Sequence, residues 1–93
     1  MRYRSRTDII TQILEIVNDG SNSFGDRSGV SKTKIMYKAF LSHNQLKEYL
    51  MILTESGLLR YDGQTRMFKT TDKGLRFLNA YAQINQLMNE HEI

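Results

Sequence analysis

The run His43-Asn44-Gln45-Leu46-Lys47-Glu48 places an imidazole, two amides, an ammonium and a carboxylate close together. Amides can pair with adenine edges, an ammonium can reach guanine or a phosphate, and a carboxylate can accept from a cytosine amine. Catalysis has far less to work with. His43 and His91 stand 48 residues apart, and there is no cysteine. A zinc site normally needs three or four ligands at suitable spacing. Gly20, Gly25 and Gly29 share a loop that lacks the lysine of a phosphate-cradling motif. No Ser-His-acid arrangement stands out. The expectation is no enzyme, no metal, no cofactor and no evident small-molecule ligand.

These polar residues need a rigid support, and the flanking residues describe one. Ser42 and Gln45 have capping-box spacing, which marks a helix start. Leu46, Tyr49, Leu50 and Leu53 follow at i, i+3, i+4, i+7 and should face a core. Asn44, Lys47, Glu48, Met51 and Glu55 then fall on the other side, and Gly57 ends the helix. Met51 and Ile52 are odd on an exposed face; a contact with a neighbouring hairpin or a second subunit would account for them. Upstream, Ser31 caps a helix over Lys32 to Phe40, with Ile35, Met36, Ala39 and Phe40 as its apolar face. Lys34 and Lys38 share one of its sides. Only Leu41 and Ser42 separate the two helices, so they must cross sharply, as in a helix-turn-helix.

An earlier helix starts at Ser5 or Thr7, carries Ile9, Ile10, Ile13, Leu14, Ile16 and Val17, and should stop near Asn18-Asp19-Gly20. Residues 20 to 31, with three glycines and four serines, read as a loop with no regular element, pinned by Phe24. Downstream, residues 58 to 61 and 66 to 70 read as the strands of a two-stranded hairpin turning at Asp62-Gly63. Tyr61 and Phe68 should point inward, leaving Arg60, Arg66 and Lys69 outside. Thr71 caps a last helix in which Leu75 and Leu78 can pack on the domain. Beyond them Phe77, Tyr81, Ile84, Met88 and His91 step 4, 3, 4, 3, a coiled-coil spacing. The expected class is α+β, mainly α. It comprises a winged helix-turn-helix over residues 1–71 with a basic N-terminal arm, then a long helix over 72–93 for self-association.

Composition agrees with a single domain of 93 residues. Absence of cysteine fits a reducing compartment such as the cytoplasm, and no apolar run approaches the roughly 18 residues of a membrane span. Net charge is +3, from 13 basic and 10 acidic side chains. All 13 basic ones precede residue 77, where only 8 acids offset them, leaving +5; Glu90 and Glu92 make the tail −2. A basic body of this kind is compatible with a nucleic-acid partner.

The run LSHNQLKEYLMILTESGLLRY, then a hairpin, then TTDKGLRFL, resembles the small archaeal winged-helix DNA-binding family. The shared features are Leu41-Ser42, the mid-helix Tyr49, Gly57-Leu58-Leu59 and Thr71-Asp72-Lys73-Gly74, and KTKIMYKAF resembles the family's second helix. The resemblance covers about residues 7 to 84. It departs in the longer loop at 20 to 31 and at Thr70, where an apolar residue is usual.

The resemblance implies a double-stranded DNA partner and a homodimer, either a transcriptional regulator or a nucleoid-associated, chromatin-like protein. In a winged helix, residues 43–56 are the recognition helix and residues 60–69 the wing. Asn44 and Glu48 would then face bases, as would Gln45 if free of its capping role; Lys47 would reach a guanine or a phosphate, and Ser42 and His43 would face a phosphate. Lys34 and Lys38 would lie along the backbone. Arg60 and the wing-tip residues Gln64, Thr65 and Arg66 would reach the backbone or the minor groove. Arg2, Arg4 and Arg6 would form a flexible basic arm. Phe77, Tyr81, Ile84, Met88 and His91 would line the dimer seam. A second reading of the same residues is a winged-helix protein-interaction module, in which Met51, Ile52 and the last helix bind another protein.

Overall fold

Three caps define where the first helices begin. Ser5 and Asp8 exchange side-chain and backbone hydrogen bonds, both 3.1 Å, and start α1 over Arg6–Ser21. Ser31 accepts from the Lys34 amide and starts α2 over Lys32–Ala39. Ser42 and Gln45 form the full capping box of α3, His43–Glu55. The computed structural model describes residues 4–21 and 29–90. Arg2, Phe24 and His91, on which expectations rested, lie outside the described residues.

The apolar stripes of the three helices meet in one core. Ile13, Leu14 and Val17 of α1, Ile35 and Ala39 of α2, and Leu46, Leu50 and Leu53 of α3 are buried there. Burying each large aliphatic side chain contributes about 1.5–3 kcal/mol, so the stripes matter more than helix propensity. Phe40 departs from the expected pattern: it is 81% exposed. Its backbone is left-handed at φ 55, and the Leu41 amide closes back on the Met36 carbonyl at 3.2 Å. That cap ends the helix one residue early and turns the Phe40 side chain away from the core.

The sheet has three strands, not the two expected. β2, Leu59–Asp62, pairs with β3, Met67–Thr70, and β3 pairs on its other edge with β1, Val30–Ser31. Both pairings are antiparallel and the order is β1-β3-β2. Residues 20–31 therefore contain a regular element after all. Two residues are too few to show a period of two in sequence. Gly29 precedes the strand at φ 102, beneath the Phe68 carbonyl, where a side chain would collide. Val30 and Phe68 face each other and are both buried. Tyr61 also sits opposite Phe68, with ring centroids 4.8 Å apart, but it is 49% exposed because β2 is the outer strand.

The last helix, α4, spans Asp72–Glu90. Its start is locked to the turn after α3. Thr71 Oγ1 accepts from the Gly74 amide at 3.0 Å and donates to the Gly57 carbonyl at 2.6 Å. Lys73 Nζ donates to the Ser56 carbonyl at 2.7 Å. Gly74 lies so close to the Leu58 carbonyl that an added Cβ would overlap it. Gly57 itself is left-handed at φ 77, just past the end of α3. The T-x-x-G and G-L-L segments are thus two halves of one contact.

Candidate nucleic-acid interface

On α3, the wing-facing flank carries Lys47, Met51 and Thr54, at i, i+4 and i+7. The hairpin stands beside it, and a cleft of about 790 Å³ separates the two. Lys32 from α2, Lys47 from α3, Arg60 from β2 and Arg66 from the hairpin turn line its rim. No carboxylate lines it. Leu50, Leu59 and Phe68 form the buried floor, with the exposed Met51 and Tyr61 above them. Ser31, Thr33 and Thr54 add hydroxyls.

Two features of the wing raise its positive field. Arg60 pairs directly with Lys69 across the strands, an arrangement of like charges that destabilises a sheet. Arg66 closes the four-residue turn with a left-handed backbone, φ 60, its amide 2.7 Å from the Asp62 carbonyl. The chain turns directly after Asp62, but the left-handed position falls on Arg66 and not on Gly63. Non-glycine residues adopt this conformation rarely, and such strain is often kept where function needs it. Asp62 is the one acidic residue of the hairpin, and the Lys69 charge acts on its carboxyl. Hydrogen bonds from the Gln64 and Thr65 amides hold its carboxyl below the usual carboxylate range.

The other expected recognition residues distribute as follows. Ser42, His43, Asn44, Gln45 and Glu48 are all exposed at the start of α3. Ser42 and Gln45 use their side-chain oxygens in the capping box. Asn44 and Glu48 lie on the outward ridge, away from the cleft. Gln64 and Thr65 are exposed at the wing tip. Lys34 and Lys38 are exposed on α2 but outside the cleft. Lys32, two residues earlier, is the α2 lysine that lines it; its place directly after the cap Ser31 was the available signal.

Arg4 differs from expectation. Its guanidinium donates to Gln12 Oε1 and to the Ala39 carbonyl, both at 2.7 Å, and to the Phe40 carbonyl at 3.4 Å. It therefore satisfies the orphan carbonyls at the end of α2 instead of reaching outward. Arg6 lies in the first turn of α1 with its guanidinium 5.8 Å from the Tyr49 ring centre. At these two positions the basic arm is bound to the body.

On α4, Phe77 packs against the core, and the Tyr81 hydroxyl donates to Asp8 of α1 at 3.0 Å. That bond raises the Tyr81 pKa. Ile84, Leu87 and Met88 are 58, 66 and 67% exposed. Of the described 4-3-4-3 track, the first two residues are engaged within the chain and the last two are open.

The order of elements, the turn between α2 and α3 and the hairpin beside them match a known domain family. The chain matches the winged helix-turn-helix family over residues 3–89. The chain belongs to that family. Winged helix-turn-helix domains generally bind DNA. An uncharacterized protein of Methanocaldococcus jannaschii is 27% identical over 89 residues, covering 95% of this chain and 81% of that protein. No described helix is long and apolar enough to cross a membrane. No described group of three or more His, Asp or Glu side chains could hold a metal ion.

Proposed function

We propose that this winged helix-turn-helix protein binds double-stranded DNA as a homodimer, acting as a transcriptional regulator or a chromatin-like protein. The observation that carries this reading is the cleft between α3 and the hairpin, where four cations converge without a carboxylate. A phosphate backbone suits that rim, and the exposed start of α3 can then enter the major groove. Asn44 and Glu48 face bases, Lys47 reaches a guanine or a phosphate, and His43 and the amides at the helix start lie near a phosphate. Gln64, Thr65 and Arg66 reach the backbone or the minor groove. The outward carboxylate of Glu48 repels phosphate yet can accept from cytosine, which favours a sequence-preferring binder over a packaging protein.

Salt tests the reading. Duplex affinity, followed by fluorescence anisotropy, should fall steeply between 50 and 200 mM salt, by roughly 10²-fold or more for several phosphate contacts. Replacing Lys47 and Arg66 together by alanine should lower it further and flatten the slope. Affinity that is indifferent to salt would end the groove assignment.

The homodimer rests on Ile84, Leu87 and Met88, which lie exposed on the half of α4 beyond its contact with α1. Ile84→Glu with Met88→Glu should halve the mass measured by light scattering. An unchanged mass would remove α4 from the interface.

A further inference from the structure

The floor of the cleft is a poor match for a duplex. A phosphodiester backbone is served by cations and donors, and gains nothing from Met51, Tyr61 and the apolar side chains beneath them. Burying such a floor favours an apolar body. Four cations with no carboxylate favour a negative head. Among the described residues, Lys32, Lys47, Arg60 and Arg66 have no ion-pair or hydrogen-bond partner for their side chains, so all four are available. The volume, about 790 Å³, is within the roughly 300–1,000 Å³ typical of small-molecule sites. Met51 is unbranched and polarizable, and adapts to flat or irregular partners. Tyr61 is held by Phe68 at 4.8 Å with one part of its ring still exposed, which leaves an edge for stacking.

We infer that this cleft binds a small amphiphilic organic anion, an aromatic or aliphatic body carrying a carboxylate or phosphate head. The body lies on Met51 and Tyr61. The head takes hydrogen bonds from Lys47 and Arg60, with Lys32 and Arg66 completing the rim. Because the same cations serve the DNA backbone in the function proposed above, the occupied cleft excludes DNA. That second half rests on the DNA reading; the binding of the anion does not.

The test uses the full chain and three probes: 2-naphthoate, the uncharged 2-naphthalenemethanol, and acetate, which has the head without the body. Calorimetry should give saturable one-to-one binding per chain for naphthoate, at least tenfold tighter than for the alcohol, and no heat of binding for acetate. Met51→Glu sets a carboxylate in the cleft at an exposed position and should weaken naphthoate at least tenfold. Arg60→Gln should weaken naphthoate more than the alcohol. Tyr37→Ser, at an exposed position of α2 outside the cleft, should change neither. Duplex affinity should fall in naphthoate and hold in the same concentration of acetate.

Equal binding of naphthoate and the alcohol, no saturation, or full binding by Met51→Glu would overturn the site. A duplex that holds its affinity in saturating naphthoate would overturn the exclusion. The two readings fail separately: a chain that binds naphthoate through these residues but no duplex loses the DNA function and keeps the site. A chain that binds duplex but no naphthoate does the reverse.

Discussion

α3 and α4 begin with the same device and end up with opposite fates. Each has a hydroxyl cap accepting from the amide three residues on, Ser42 from Gln45 and Thr71 from Gly74. They differ in that third residue. Gln45 bends its side chain back to the Ser42 amide and leaves the helix start exposed. Gly74 has no side chain, so the backbone at the start of α4 closes onto Leu58, while Thr71 and Lys73 tie down the carbonyls of Gly57 and Ser56. One helix start is free for a partner, and the other is consumed in holding the hairpin and α4 to α3. A cap motif therefore marks where a helix begins, and its third residue decides whether that beginning is available.

The sharpest way to break this comparison is at Gly74. Gly74→Ala puts a methyl group into the Leu58 carbonyl, and the rigid backbone on both sides cannot yield cheaply. Overpacking of this kind costs about 1–3 kcal/mol, or a fall in Tm of roughly 5–20 °C for a domain of this size. Thermal unfolding by circular dichroism measures it, and an unchanged Tm would mean the lock is loose.

Ser42→Ala is the matching change at the free helix start and should cost less, about 1 kcal/mol. Its particular signature is functional. Duplex affinity should drop at temperatures where the chain stays folded, because the frayed first turn no longer presents His43 and Asn44. Gly74→Ala, assayed well below its Tm, should bind duplex nearly as well as the parent.

The smallest effect is at the far end of the α4 anchor. The Tyr81 phenol must be protonated to donate to Asp8, and its pKa is raised above the usual value near 10 by that bond. Its contribution is complete below pH 10 and is lost as pH rises through the raised value. The urea midpoint of the parent should therefore fall between neutral pH and about pH 11 slightly more than that of Tyr81→Phe. Parallel curves for the two would show that the bond adds nothing to stability.

Much of this arrangement is legible in the sequence, because it is written in local chemistry. Caps at Ser31, Ser42 and Thr71, the stripe Leu46-Leu50-Leu53 and the turn at Asp62-Gly63 each act within a few residues. The misreadings are long-range. β1 is visible only through its pairing with β3. Phe40 continues the helical spacing of α2, but a left-handed cap turns it outward. Arg4 looks like part of a free arm until the carbonyls of Ala39 and Phe40 are brought beside it. Lys32, Arg60 and Arg66 come from separate elements, and only the fold places them around one cleft.

Ser31 belongs to two elements at once. It pairs with Met67, the first strand residue after the hairpin turn, and its hydroxyl caps α2. No spacer separates the sheet from that helix. A load applied at the hairpin tip meets the Met67–Ser31 pair at once and passes directly into the first turn of α2. The wing therefore works as a handle on the helix-turn-helix, and a partner that tilts one must tilt the other.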